Sequence, residues 1–149
     1  MREFTRDELR RSVRPTLGQT VPLEWFRLLR LNAMRDVFGE ALADTLYLLG
    51  RSFGRRLAEG DVDRLAAQFE ALGLGKLRLV VEEEDRMVFE VDECATCSGL
   101  PDVGENLCWF EAGLLAGALE MITGRPTRVR ETACASRSSD VCKYEAELV

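Results

Sequence analysis

The chain is 149 residues long, one domain's worth of sequence, and its 46% hydrophobic and 31% charged side chains place it with globular rather than disordered proteins. Its 20 basic and 26 acidic residues leave a net charge of −6, which argues against a nucleic-acid partner, because phosphates are held by a positive face. Histidine is absent, which excludes Ser-His-Asp and Cys-His catalysis, imidazole metal ligands and the usual near-neutral proton shuttle.

The opening MREFTRDELRRSVRP is charged throughout and has no apolar stretch that would act as a secretion signal. Residues 1–20 are expected to be a polar lead-in turning at Pro15 and Gly18, and the protein to be cytoplasmic, with reduced thiols. Pro22 suits the first turn of a helix, and Leu23 to Phe38 repeats Phe26, Leu29, Ala33 and Val37 at helical spacing, widened by Trp25, Leu28 and Leu31. After Gly39, Leu42, Leu46, Leu49, Phe53 and Leu57 mark a second amphipathic helix ending near Gly60. Its Gly50 and Gly54, four apart, admit the close approach of another element. Asp61 caps a third helix, with Val62, Leu65, Phe69 and Leu72 on one face and Gly73 at its end.

Lys76 to Glu83 and Arg86 to Asp92 read as the two strands of a hairpin. A turn-rich segment, 93–106, leads to a helix over Leu107 to Thr123 with almost no polar face, stopped by Gly124 and Pro126. Glu111 and Glu120 interrupt it, and it falls short of the roughly 20 apolar residues that span a bilayer. Thr127 to Cys134 and Asp140 to Leu148 form a second hairpin. Three helices, two strands, a buried helix and two strands make a single α+β domain over residues 1–149, helices packed on an antiparallel sheet.

Five cysteines in a chain read as cytosolic point to metal or redox use more than to disulfides. Cys94 and Cys97 form a CxxC pair, Cys108 stands at the expected start of the buried helix, and Glu131, Cys134 and Cys142 lie on the terminal hairpin. A zinc ion asks for four N, S or O donors in a tetrahedron, which here means thiolates and carboxylates. Free N–H groups at a helix start favour a thiolate at Cys108. Glu131 and Cys134 are three apart, so on a regular strand they face opposite sides. Both can ligate one ion only if the chain bulges or turns between them. Spacing leaves two ligand sets open: Cys108, Glu131, Cys134 and Cys142, or the all-cysteine set Cys94, Cys97, Cys134 and Cys142. A metal-free redox pair needs an electropositive setting, and Glu90, Asp92, Glu93 and Asp102 around Cys94 and Cys97 argue against one and should raise the thiol pKa values. An iron–sulfur centre would take four thiolates.

The stretch ECATCSGLPDVGENLCWFEAGLLAGALEMITGRPTRVRETACASRSSDVCKYEAEL resembles the 4-vinyl-reductase-type domain, also described as a predicted hydrocarbon-binding domain. The markers are CWFEAGLLAG at the helix start, TGRPTRVRE, and the Glu-x2-Cys-x7-Cys ending, and the likeness runs upstream through RPTLGQTVPLEWFRLLR. In relatives that serve as aromatic-sensing input domains of transcriptional activators, a structural zinc uses the first helix cysteine, the glutamate and the two hairpin cysteines. The resemblance therefore implies zinc on Cys108, Glu131, Cys134 and Cys142, and leaves Cys94 and Cys97 as a second thiol pair outside that site. It also implies the fold shared with nitric-oxide-sensing haem domains and TRAPP subunits, commonly a homodimer, with an apolar pocket between sheet and helices. The phenol sensors hold the phenolic oxygen with a histidine and a tryptophan, a route closed to a chain without histidine. Their ATPase and DNA-binding parts are not among these 149 residues, so output is expected to pass through a separate protein partner.

Apolar side chains expected to line such a pocket are Trp25, Phe26, Phe53, Met87, Phe89, Ala112, Leu115 and Val129. Small residues along the buried helix (Ala112, Gly113, Ala116, Gly117) leave volume there unless a neighbouring element fills it; Trp25 and Trp109 would otherwise face a dimer partner. No dinucleotide fingerprint, phosphate-cradling loop or proton donor is recognisable, so no catalytic residue is assigned. The expectation is a zinc-stabilised, homodimeric domain that binds a small hydrophobic or aromatic ligand. The alternatives are an accessory or reductase-related protein of tetrapyrrole metabolism, and a TRAPP-type dimeric scaffold without a free ligand.

Overall fold

Gly50 and Gly54 face Gly113 and Gly117 across a helix pair, and a methyl added at any of the four would run into a carbonyl oxygen of the opposite helix. The oxygens are those of Phe110, Leu114, Tyr47 and Arg51, so the two backbones touch directly. In the computed structural model, which describes residues 1–149, these helices are α4 (Leu42–Leu57) and α6 (Trp109–Thr123). The volume that the small residues of α6 leave is therefore filled by α4. Leu114, Leu115 and Leu119 of α6 are fully buried, each worth about 1.5–3 kcal/mol of apolar transfer.

The helices pack on a four-stranded antiparallel sheet of order β1-β2-β4-β3, formed by β1 (Lys76–Glu82), β2 (Arg86–Asp92), β3 (Thr127–Ala133) and β4 (Cys142–Leu148). The period-2 alternation predicts its inner face: Met87, Phe89 and Val91 of β2 and Cys142, Tyr144 and Ala146 of β4 are buried, with Phe89 paired opposite Tyr144. Helix α5 (Val62–Ala71) starts as expected at Asp61, whose side chain accepts from the Arg64 N–H. No helix is long and apolar enough to cross a membrane.

Two segments depart from the sequence reading. The polar lead-in contains a helix, α1 (Arg6–Arg10), because Thr5 and Glu8 form a reciprocal capping box. Residues 23–38 are helical, but as α2 (Leu23–Arg27), a π-helical stretch Leu28–Ala33 and α3 (Met34–Phe38). The apolar stripe predicted there does not enter the core: Leu28, Leu29 and Val37 are exposed, while Arg30 is only 5% exposed. What ties this rod inward is charge. Arg27 donates to the Ala95 and Ser98 carbonyls at 2.8 and 2.7 Å, and Arg30 to both carboxylate oxygens of Glu111 at 3.2 Å.

Candidate metal centre

Three elements bring sulfur to one end of the sheet. Cys142 opens β4 on its inward face, in step with Tyr144 and Ala146. Cys108 caps α6, its N–H donating to Glu131 Oε2 at 3.1 Å. Glu131 and Cys134 come from β3 and its continuation, where the pairing jumps from Glu131–Tyr144 to Ala133–Lys143. That register shift is a β-bulge, the irregularity a shared ion requires, and it turns Glu131 and Cys134 towards the same place. The fourth contribution is the loop after β2. Its turn is closed by Ser98 N–H to the Cys94 carbonyl and anchored by Ala95 N–H to the Leu74 carbonyl, and it buries both Cys94 and Cys97.

The ligand atoms of Cys108, Glu131, Cys134 and Cys142 lie within 4.8 Å of one another, and so do those of Cys94, Cys97, Cys108 and Cys142. The all-cysteine set read from spacing, with Cys134 as a member, is not the one that forms; Cys108 takes that place. All five thiols are free and buried. The Cys108 sulfur is 3.9 Å from Cys134 and 3.8 Å from Cys142. Two sulfurs bonded at about 2.3 Å to a tetrahedral zinc stand about 3.8 Å apart, so the donors fit that ion. Glu131 offers a second sign of fit: its Oε1 is buried with no hydrogen-bond partner.

The protons are shared unevenly. The Cys108 S–H holds Cys94 and Cys134 far below the ordinary thiol range, while the neighbouring Cys134 drives the Cys108 thiol far up. Burial, then Cys134, pushes the Glu131 carboxyl up to about 9. The acidic residues around the CxxC pair were expected to raise both thiols; the other sulfurs dominate instead, and Cys94 goes down.

Behind the sulfurs lies a charged layer that the sequence reading missed. Glu111 is fully buried, accepts from Thr96 Oγ1 at 2.5 Å and from Arg30 through two bonds, and burial raises its pKa against the pull of Arg30. The Arg30 guanidinium is sandwiched between the Phe26 and Phe110 rings at 4.5 and 4.4 Å. One signal was present: Glu111 is a charge in an otherwise apolar helix, and such a residue is buried only with a partner.

The eight pocket candidates do not meet around one cavity. Met87, Phe89, Ala112, Leu115 and Val129 are buried in the packing of sheet against helices. Phe26 covers Arg30, Trp25 is 57% exposed, and Phe53 is 38% exposed with its ring edge-on to Phe110. Phe53 does line an apolar groove of about 590 Å³, together with Phe4 and Leu9 of the amino-terminal arm, Leu57 and Leu72. Arg6, Arg10 and Arg56 stand along it.

The family model of the vinyl-4-reductase domain matches residues 87–148, from β2 through β4. The Methanocaldococcus jannaschii protein MJ1642 is 32% identical over 133 residues, covering 89% of this chain and 81% of that protein. A vinyl-4-reductase family protein of the same organism superposes with a TM-score of 0.70 at 24% identity, over 89% of this chain and 85% of that one. The phenol-responsive sensory domain of the transcription activator PoxR, solved with phenol, gives 0.69 at 12% identity, over 86% and 75%. A trafficking protein particle complex subunit 3 from Naegleria fowleri, covalently bound to palmitic acid, gives 0.64 at 14% identity, over 85% and 95%. These structures share the arrangement of helices on an antiparallel sheet.

Proposed function

The chain belongs to the vinyl-4-reductase domain family, and we propose that it is a zinc-stabilised domain that binds a small hydrophobic molecule and acts through a separate protein. Cys108, Glu131, Cys134 and Cys142 would hold the zinc, whose chemistry here is that of a structural cross-link, since four protein donors leave no open position for water. This chain's own part is to bring the terminal hairpin to the start of α6 through the bulge at Thr132.

The observation that carries the ligand reading is the groove between the amino-terminal arm and helices α4 and α5. At about 590 Å³ it lies inside the roughly 300–1,000 Å³ of small-molecule sites, with five apolar residues and a few arginines. The space between sheet and α6 is occupied by Phe89, Leu115, Leu119 and Tyr144, all fully buried, so the ligand is assigned to the groove. The likeness to a phenol-responsive domain and to a palmitate-bearing subunit supports an apolar ligand. Native mass spectrometry of gently purified protein, followed by thermal shift with aromatic and acyl compounds, tests the reading. A stabilising compound whose effect is lost in Phe53→Glu is expected.

A second reading, the dimeric scaffold, has its own support. Trp25, Leu28, Leu29, Val37 and Phe38 are exposed on the α2–α3 rod, an apolar surface suited to a second copy of the chain. No co-purified molecule and no thermal shift, together with a dimer in analytical ultracentrifugation, would favour that scaffold over the sensor.

A further inference from the structure

Cys94 and Cys97 have no part in the site just proposed, yet they are not scattered core thiols. Their loop delivers both sulfurs to the side of Cys108 and Cys142 away from Glu131. Cys94 is 3.5 Å from Cys108, and Cys97 is 3.3 Å from Cys108 and 3.2 Å from Cys142. The six donors thus fall into two groups of four, each mutually within 4.8 Å, sharing the Cys108–Cys142 edge.

We infer that the centre is binuclear, with two zinc ions bridged by the thiolates of Cys108 and Cys142. Cys94 and Cys97 complete the tetrahedron of one ion, and Glu131 and Cys134 that of the other. The inference rests on the proposed zinc site and adds an ion to it. A thiolate sulfur has lone pairs enough to bond two metals, and the shared edge of 3.8 Å is the spacing that two bonds of about 2.3 Å to each ion require. A single ion satisfies four donors and leaves the other two buried without a metal: either the CxxC pair, or Cys134 with Glu131, whose Oε1 has no partner.

Charge agrees. Two divalent ions against five thiolates and one carboxylate leave the cluster at −2, where one ion with all six donors ionised would leave −4. Arg27, held on the Ala95 and Ser98 carbonyls, places a positive charge on the loop that carries the CxxC pair. A cleft of about 340 Å³ lined by Cys94 and Cys142 offers an entry path to this side. Sulfurs 3.2–3.9 Å apart share an ion directly and are too close to bracket a cluster of several irons.

The test is the metal count of the purified full chain by native and inductively coupled plasma mass spectrometry. Two zinc ions per chain, falling to one in the Cys94→Ser/Cys97→Ser double variant, is the expected result. One zinc in the unmodified chain overturns the binuclear centre and leaves the single structural site standing; none overturns both. Two zinc ions retained in the double variant, or acid-labile sulfide in the unmodified chain, also overturns the assignment. If the double variant does not fold, cadmium-113 NMR of the cadmium-loaded unmodified chain decides: two resonances, one for four sulfurs and one for three sulfurs and an oxygen, against a single line.

Discussion

Replacing Arg30 by Met removes the charge that the fold buries most deeply on its helical side. Arg30 and Glu111 have side-chain exposures of 6% and 0%, so solvent screens neither. Met keeps most of the aliphatic stem packed between Phe26 and Phe110, but Glu111 then keeps only Thr96 as a side-chain partner. Stranding one member of a buried pair costs about 3–5 kcal/mol. At a urea m-value of about 2 kcal/mol/M, a loss of about 4 kcal/mol lowers the unfolding midpoint by about 2 M. Removing both charges, Arg30→Met with Glu111→Leu, is expected to recover most of this. Arg30 Nε is already buried without a partner, and the residual cost is the stranded Thr96 hydroxyl, about 1–3 kcal/mol. The assay is a double-mutant cycle in urea. A coupling of about 2 kcal/mol or more is expected; additivity within about 0.5 kcal/mol would refute a mutually dependent buried pair.

Gly113→Ala places a methyl against the Tyr47 carbonyl oxygen. The helical gain of about 1 kcal/mol is expected to be outweighed by overpacking of about 1–3 kcal/mol or more, giving a lower melting temperature; a rise would contradict direct backbone contact. Burial pushes the Glu120 carboxyl up, but bonds from Arg51 at 2.5 Å and Arg55 at 2.6 Å hold it below its ordinary 4.5. Its contribution is therefore present above that value and lost as pH falls through the lowered folded one, so Glu120→Gln should flatten the acid limb of the stability–pH curve. Cys134→Ser should lower the zinc content by one equivalent and speed amide exchange in β3 and β4, read by mass spectrometry; full retention of metal would remove Cys134 from the ligand set.

The strands and the buried helix were legible because each satisfies a local rule. Alternation marks β2 and β4, a continuous apolar run closed by Gly124 marks α6, and Asp61 announces α5. The glycine pairs on α4 and α6 pointed to a close approach, and their four-residue spacing makes the two sets interlock. The bulge at Thr132 was legible only as a condition: three-residue spacing between Glu131 and Cys134 demanded it, while nothing in residues 131–134 announces it. Other features depend on contacts distant in sequence. Arg30 sits within an apolar stripe and looks exposed until Glu111, 81 residues on, supplies its partner. The stripe itself was read as core because periodicity reports an amphipathic face and not what covers it. The pocket was misplaced for a related reason: small residues on α6 signal either a cavity or a neighbour, and the neighbour, α4, is identified only by packing. Cys94 and Cys97 join the other sulfurs through a turn whose path the spacing does not encode.

The central claim is that an ion joins the terminal hairpin to the start of α6. An anomalous difference map from crystals of the full chain, collected at the zinc absorption edge, tests it most directly. The account predicts a peak within about 2.0–2.4 Å of Cys108 Sγ, Cys134 Sγ, Cys142 Sγ and a Glu131 oxygen. A map with no peak among these four donors would contradict it.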